Sequence, residues 1–189
     1  MTSSAISRGR LCAIFMAAAA IAPSVLTADA AAFQGSAHEH GVAELSFAVE
    51  GDQVQAELHT PLANLVGFEH EPRTEAQKSA YENALAALRR DDLFDFQGAR
   101  CGLSDVTLDT PGYESAHAEH EHGDHEHHGG HAEIVARYVF ACDNADRIRS
   151  AGTRLFDRFE GFQEITVIFL GASTSVGELT PAKPVLEVE

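Results

Sequence analysis

Beyond residue 16 this chain contains no methionine: Met1 and Met16 are the only two, and both sit in its first segment. The remainder offers no thioether to hold copper(I), which argues against a methionine-type copper carrier. Positive charge is also scarce. Thirteen lysines and arginines face 29 acidic residues, for a net charge of −16. So anionic a surface repels nucleic acid phosphates and anionic lipid and concentrates cations. Cysteine is limited to Cys12, Cys101 and Cys142, with no CxxC spacing among them. No apolar run reaches the length of a membrane span. Hydrolase signatures are missing too: there is no HExxH, no G-x-S-x-G and no aspartate-rich phosphatase pattern.

The amino-terminal residues "MTSSAISRGR" and "LCAIFMAAAAIA" place Arg8 and Arg10 before an apolar run of about a dozen residues. A small-x-small pattern follows in "TADA". This layout predicts a secretory signal over residues 1–30, cleaved after Ala30 or alternatively after Ala32. Cys12 would leave with it. Residues 31–189 then form one exported, periplasmic domain with a real core. In an oxidising compartment Cys101 and Cys142 read first as a disulfide. A metal-thiolate or redox pair is the competing reading.

Alternation in "GVAELSFAVEGDQVQAELHTP" predicts an antiparallel hairpin turning at Gly51-Asp52. Ala43, Leu45, Phe47 and Val49 lie on one side of it, and Val54, Ala56 and Leu58 continue the apolar pattern. A helical turn follows in "PLANLVG", ending at Gly67. "TEAQKSAYENALAALRR" is a helix opened by a Thr74/Gln77 capping box, with Ala80, Ala84, Leu85 and Leu88 as its apolar stripe. "LSDVTLD" and "EIVARYVFA" predict two more strands. Pairing Asp109 with Ile134 also sets Cys101 opposite Cys142. "NADRIRSAGTRLFDRFEGF" predicts a second helix burying Ile148, Leu155, Phe156 and Phe159. "EITVIFLGA" reads as a central strand, and the tail, broken by Pro181 and Pro184, as an edge. The class is α+β: a mostly antiparallel sheet of hairpins with two main helices on one face. The hairpin-then-helix order, met twice, hints at an internal duplication.

Between the two later strands stands "SAHAEHEHGDHEHHGGH", Ser115–His131, which holds seven of the eleven histidines. The insertion at residues 113–132 is too rich in glycine and charge to offset its own ordering entropy, so it is expected disordered without ligand. His117, His120, His122, His125, His127, His128 and His131 alternate with carboxylates. Neutral imidazole suits zinc, nickel and copper(II), and many ligand combinations in such a run reach four-coordination. Three further features are candidates. In "HEHG", His38 and His40 share one face of an extended segment, with Glu44 further along it. In "GFEHEP", Glu69, His70 and Glu71 sit on a loop between helical pieces. His59 has the parity of Glu57 and Gln53, away from Val54 and Leu58.

"HEHGVAEL", the hairpin after it and "TPLANLVGFEHEPRTEAQ" resemble the zinc-regulated periplasmic protein family, ZrgA-like, from Ala37 to the carboxyl terminus. "NLVGFEH-x-P" is the most specific stretch. The resemblance implies an exported, non-enzymatic zinc-binding protein that assists a zinc ABC importer or its binding protein. From the residues themselves, the ordered site is expected to combine His38, His40 and His70 with Glu69 or His59 as the fourth ligand. The importer's own solute-binding protein is a weaker fit, because such two-lobed chains run to nearly twice this length. A metal-dependent hydrolase and a nickel or copper(II) buffer are the alternatives.

Overall fold

The computed structural model describes residues 39–111 and 132–188. Strands β1 (Val42–Glu50) and β2 (Gln53–Pro61) form the expected hairpin, with Leu45 opposite Leu58 and Phe47 opposite Ala56. Helix α1 (Leu62–Val66) follows directly, then α2 (Glu75–Leu88). Strand β3 (Phe94–Gln97) precedes a second hairpin, β4 (Arg100–Asp109) and β5 (Glu133–Asp143). A single 3-10 turn, Ala145–Arg147, leads to β6 (Ser150–Thr153), the one-turn α3 (Leu155–Arg158), β7 (Glu164–Leu170), β8 (Thr174–Leu179) and β9 (Val185–Glu187).

Six strands make a mixed sheet in the order β4-β5-β2-β1-β7-β8, in which only β1 and β7 run parallel. A three-stranded antiparallel sheet, β3-β6-β9, lies against one face of it. Aromatic rings join the layers. Phe47 of the large sheet meets Phe94 and Phe96 of the small one edge to face, with ring centroids 5.7 and 5.5 Å apart. Phe94 also meets Tyr138, and Phe96 meets Phe140. Such pairs add about 0.5–1.5 kcal/mol each beyond their buried area. The inner face of the large sheet is fully apolar along β1, β5 and β7 (Leu45, Phe47, Ile134, Ala136, Ile165, Val167). Its outer face carries the alternate residues.

The α+β class and the mostly antiparallel sheet stand. The capping box forms as expected, with Gln77 N–H donating to Thr74 Oγ1 and Thr74 N–H to Gln77 Oε1. Only the carboxyl-terminal half of α2 is anchored. Ala84 and Leu88 are buried and Tyr138 donates its hydroxyl hydrogen to the Leu88 carbonyl at 2.9 Å, whereas Ala80 is exposed. Strand β7 is interior, between β1 and β8, rather than central.

The second long helix is a correction. Ile148, Leu155 and Phe159 are buried and Phe156 partly so, yet a strand divides them: Ile148 closes the 3-10 turn before β6, Leu155 and Phe156 lie on α3 after it, and Phe159 caps α3. Ser150–Thr153 is buried throughout because β3 and β9 hydrogen-bond it from both sides. A β-carbon at Gly152 would lie 2.6 Å from the carboxylate of Asp95, an exposed side chain that would have to turn aside. Tertiary pairing thus overrides helical spacing, and the second half of the chain does not repeat hairpin-then-helix.

The register of the second hairpin is corrected in part. Cys101 does pair with Cys142, and the two form a disulfide across 41 residues of sequence. Asp109, however, faces Val135 rather than Ile134, because β4 bulges between Leu103 and Asp105. The bulge is held by Ser104, whose hydroxyl donates to the Val139 carbonyl at 2.9 Å. Replacing both cysteines by alanine is expected to lower unfolding free energy by about 4 kcal/mol, the chain-entropy value for a loop of this length. Denaturant titration of the double variant checks this, with far-UV dichroism reporting whether the fold is retained.

Candidate metal centre

The start of β1, the end of β2 and the start of β5 meet at one end of the large sheet, since β2 runs antiparallel to both neighbours. Asn64 binds this end together. Its side chain is buried on α1; it accepts from the Gly41 N–H at 2.7 Å and donates to the Val42 carbonyl at 2.8 Å and to Thr60 Oγ1 at 3.2 Å. The Leu62 N–H reaches the Ala132 carbonyl, so α1 is also tied to the residue before β5. Two glycines shape the approach. Gly41 has φ +92°, which turns the chain into β1, and its carbonyl accepts from both Gln163 and Glu164. Gly67, with φ +82°, ends α1 in a left-handed cap and releases the loop that carries Glu69 and His70.

Here the structure brings two predicted residues together. His40 Nε2 lies 3.1 Å from Glu69 Oε1, with His40 largely exposed and Glu69 only 21% exposed. His70 stands apart from the pair. Its ring stacks on Phe68 at 5.0 Å and its Nδ1–H donates to the Glu71 carbonyl at 2.9 Å. That bond assigns the ring hydrogen to Nδ1 and leaves the Nε2 lone pair free to accept when the ring is neutral.

His59 belongs to a different cluster. It projects from the outer face of β2, with Nε2 2.6 Å from Glu57 Oε1 and Nδ1 3.2 Å from Glu133 Oε1. Arg137 Nε donates to the other Glu57 oxygen at 2.6 Å. Glu44 faces His59 directly across the β1–β2 ladder. In this arrangement His59 supplies no donor to the His40–Glu69 pair. Among the described residues, no three histidine, cysteine or carboxylate side chains converge on one point. His38, His117, His120, His122, His125, His127, His128 and His131 lie outside the described residues.

Sequence reasoning did not single out Asn64, Glu133 or Arg137. Asn64 had a signal, a lone amide inside the apolar run "PLANLV". Glu133 and Arg137 had none, because their meeting with His59 follows from the β2–β5 register.

The electrostatics of His59 follow from its neighbours. Partial burial pulls its pKa down, but hydrogen bonds and charge from Glu57 and then Glu133 outweigh this and raise it above 6.5. Both carboxylates only accept, so both bonds require the doubly protonated ring. The hydrogen bond from His59, with help from Arg137, holds Glu57 below the ordinary carboxylate range against its own desolvation.

A family model described as "ZrgA family zinc uptake protein" matches residues 37–188. No curated protein sequence matches the chain. The matched span takes in both histidine clusters and Asn64.

Two outcomes are expected. Asn64→Ala leaves the buried Gly41 N–H and Val42 carbonyl without their partner, and should lower stability by about 2–3 kcal/mol in denaturant titration. The His59 ring should titrate above 6.5 by NMR, and Glu133→Ala should lower its midpoint, with Glu57, Glu44 and Arg137 still facing it. The sign follows from the raised folded-state value. Stabilisation by protonated His59 is complete below pH 6.5 and is lost as pH rises through its folded pKa.

Proposed function

The chain belongs to the ZrgA family of zinc uptake proteins, and from that premise we propose that it is a periplasmic zinc-binding protein that captures the ion and holds it for a zinc ABC importer. The signal-like residues 1–30 support export, and the net charge of −16 raises the local concentration of cations around the domain. The seven histidines of residues 117–131 act as the collector, a run offering many interchangeable imidazoles. The holder is built on His40 and Glu69, with His70 Nε2 and His38 as further donors.

The single observation that carries this reading is the His40–Glu69 contact at 3.1 Å. It pairs an imidazole with a carboxylate at the spacing a shared hydrogen requires, and on an end of the sheet fixed by a buried amide. Zinc(II) accepts both donor types at about 2.0–2.2 Å and substitutes for the hydrogen between them. Glu69 is the more buried partner, and Gly41 and Gly67 set the two backbones, so the pair is anchored on one side and open on the other. The Cys101–Cys142 disulfide suits the same oxidising compartment.

Isothermal titration of zinc into residues 31–189, intact and lacking 116–131, tests the proposal. The shortened chain is expected to keep one zinc ion, and the intact chain to take up several more with lower affinity. Replacing His40 and His70 together by alanine in the shortened chain should abolish the retained site. Affinity should fall as pH drops through about 6.5, since the ligating imidazoles must be uncharged. If the shortened chain binds no zinc, the ordered holder does not exist. If nickel or copper(II) is retained at levels that zinc does not displace, buffering of those metals replaces zinc capture.

A further inference from the structure

On the outer face of the large sheet, four side chains from two neighbouring strands form a continuous chain of contacts. Glu133 on β5 meets His59 Nδ1 at 3.2 Å, His59 Nε2 meets Glu57 on β2 at 2.6 Å, and Glu57 meets Arg137 on β5 at 2.6 Å. We propose that His59 and Glu57 form a second, weaker zinc centre, separate from His40–Glu69, in which Glu133 and Arg137 are positioning residues. This rests on the zinc-binding reading above and adds a second place to it.

The argument is the outer shell. A metal-bound histidine regularly donates its other ring N–H to a carboxylate, which fixes the tautomer and makes the ligating nitrogen more basic. Glu133 already accepts from Nδ1, so Nε2 is the nitrogen aimed at an incoming ion. Ligating carboxylates are in turn hydrogen-bonded. Arg137 holds one Glu57 oxygen and leaves the other, Oε1, facing Nε2. Both positioning contacts therefore exist before any ion arrives, and only the Nε2 hydrogen shared with Oε1 must be replaced. That proton passes to solvent as the metal takes its place.

The geometry allows the exchange. Zinc at about 2.1 Å from each atom in tetrahedral coordination sets the nitrogen and oxygen about 3.4 Å apart. The present 2.6 Å contact must therefore open by less than an ångström. His59 and Glu57 are 37% and 38% exposed, so one wall of the contact is solvent and the side chains can yield. Glu44 across the ladder adds negative charge that offsets Arg137.

Two protein donors leave the remaining positions to water, which makes the centre weak and fast to exchange. That suits a way station. Glu133 follows Ala132 at the carboxyl-terminal boundary of the histidine-rich stretch, and Asp109 on β4 shares a cross-strand row with Val135 and His59.

The test uses residues 31–189 and zinc itself. Histidine ring nitrogens are followed by long-range nitrogen–proton NMR during zinc addition, and a chromogenic chelator competes for the bound ion. The expected result is a zinc-dependent shift of His59 Nε2, while Nδ1 keeps its proton. One weak site should disappear in His59→Gln, and Glu133→Ala should weaken it about tenfold, the usual cost of losing an outer-shell partner. Zinc bound elsewhere with the His59 ring unmoved at excess metal would overturn this inference alone. Complete absence of zinc uptake would overturn the proposed function along with it. The ring measurement on the unsubstituted chain decides the matter even if a variant folds poorly.

Discussion

The buried side chain of Asn64 is the constraint on which the histidine-bearing end of the molecule depends. An unpaired amide inside a protein costs a few kcal/mol, so its three hydrogen bonds have to form together. Forming them places α1 against the first residues of β1 and the last of β2. His40 is attached to one of those points, His59 to another, and Glu69 leaves α1 through the Gly67 cap. A single buried amide therefore determines where the imidazoles and carboxylates of this end stand.

The remaining charges are distributed so that the sheet can carry them. Every carboxylate described in the His59 cluster lies on the outer face, half in solvent, with Arg137 between Glu57 and open water. Placed on the inner face, the same residues would confront Leu58, Ile134 and Tyr138 and bear the full cost of desolvation. Strand alternation makes this sorting automatic: the even positions of β2 fill the core and the odd ones hold Gln53, Gln55, Glu57 and His59. The acidity of the chain is thus a property of its surface, and the inner faces of these strands bury no charged side chain.

How much of this could be read in the residues depended on the range of the interaction. The first hairpin, the capping box of α2 and the Cys101–Cys142 pairing rest on local alternation, on a four-residue motif and on the two cysteines that follow residue 30. All three were legible. The bulge at Ser104 was not, because one extra residue in a strand leaves no mark on composition, and it moved Asp109 by one position. Ser150–Thr153 was misread as helix because its small residues report only on what packs against them, and those partners, β3 and β9, are 53–59 residues upstream and 33–37 downstream. Within the site, His40 and Glu69 each stood out as ligand types, while their contact across 29 residues depended on the Asn64 bridge.

The two ordered clusters differ in a way that bears on how an ion moves. His40–Glu69 sits on a chain entrance and a loop, where donors from outside the sheet can be added to reach full coordination. His59–Glu57 sits on paired strands, whose spacing fixes which side chains neighbour it. Affinity rises with the number of protein donors, and exchange slows with it. A protein that must both gather zinc and give it up benefits from holding sites of both kinds within one rigid frame. On the proposed reading, the cluster on the paired strands would be the site that exchanges quickly, and the pair at the end of the sheet the one that retains.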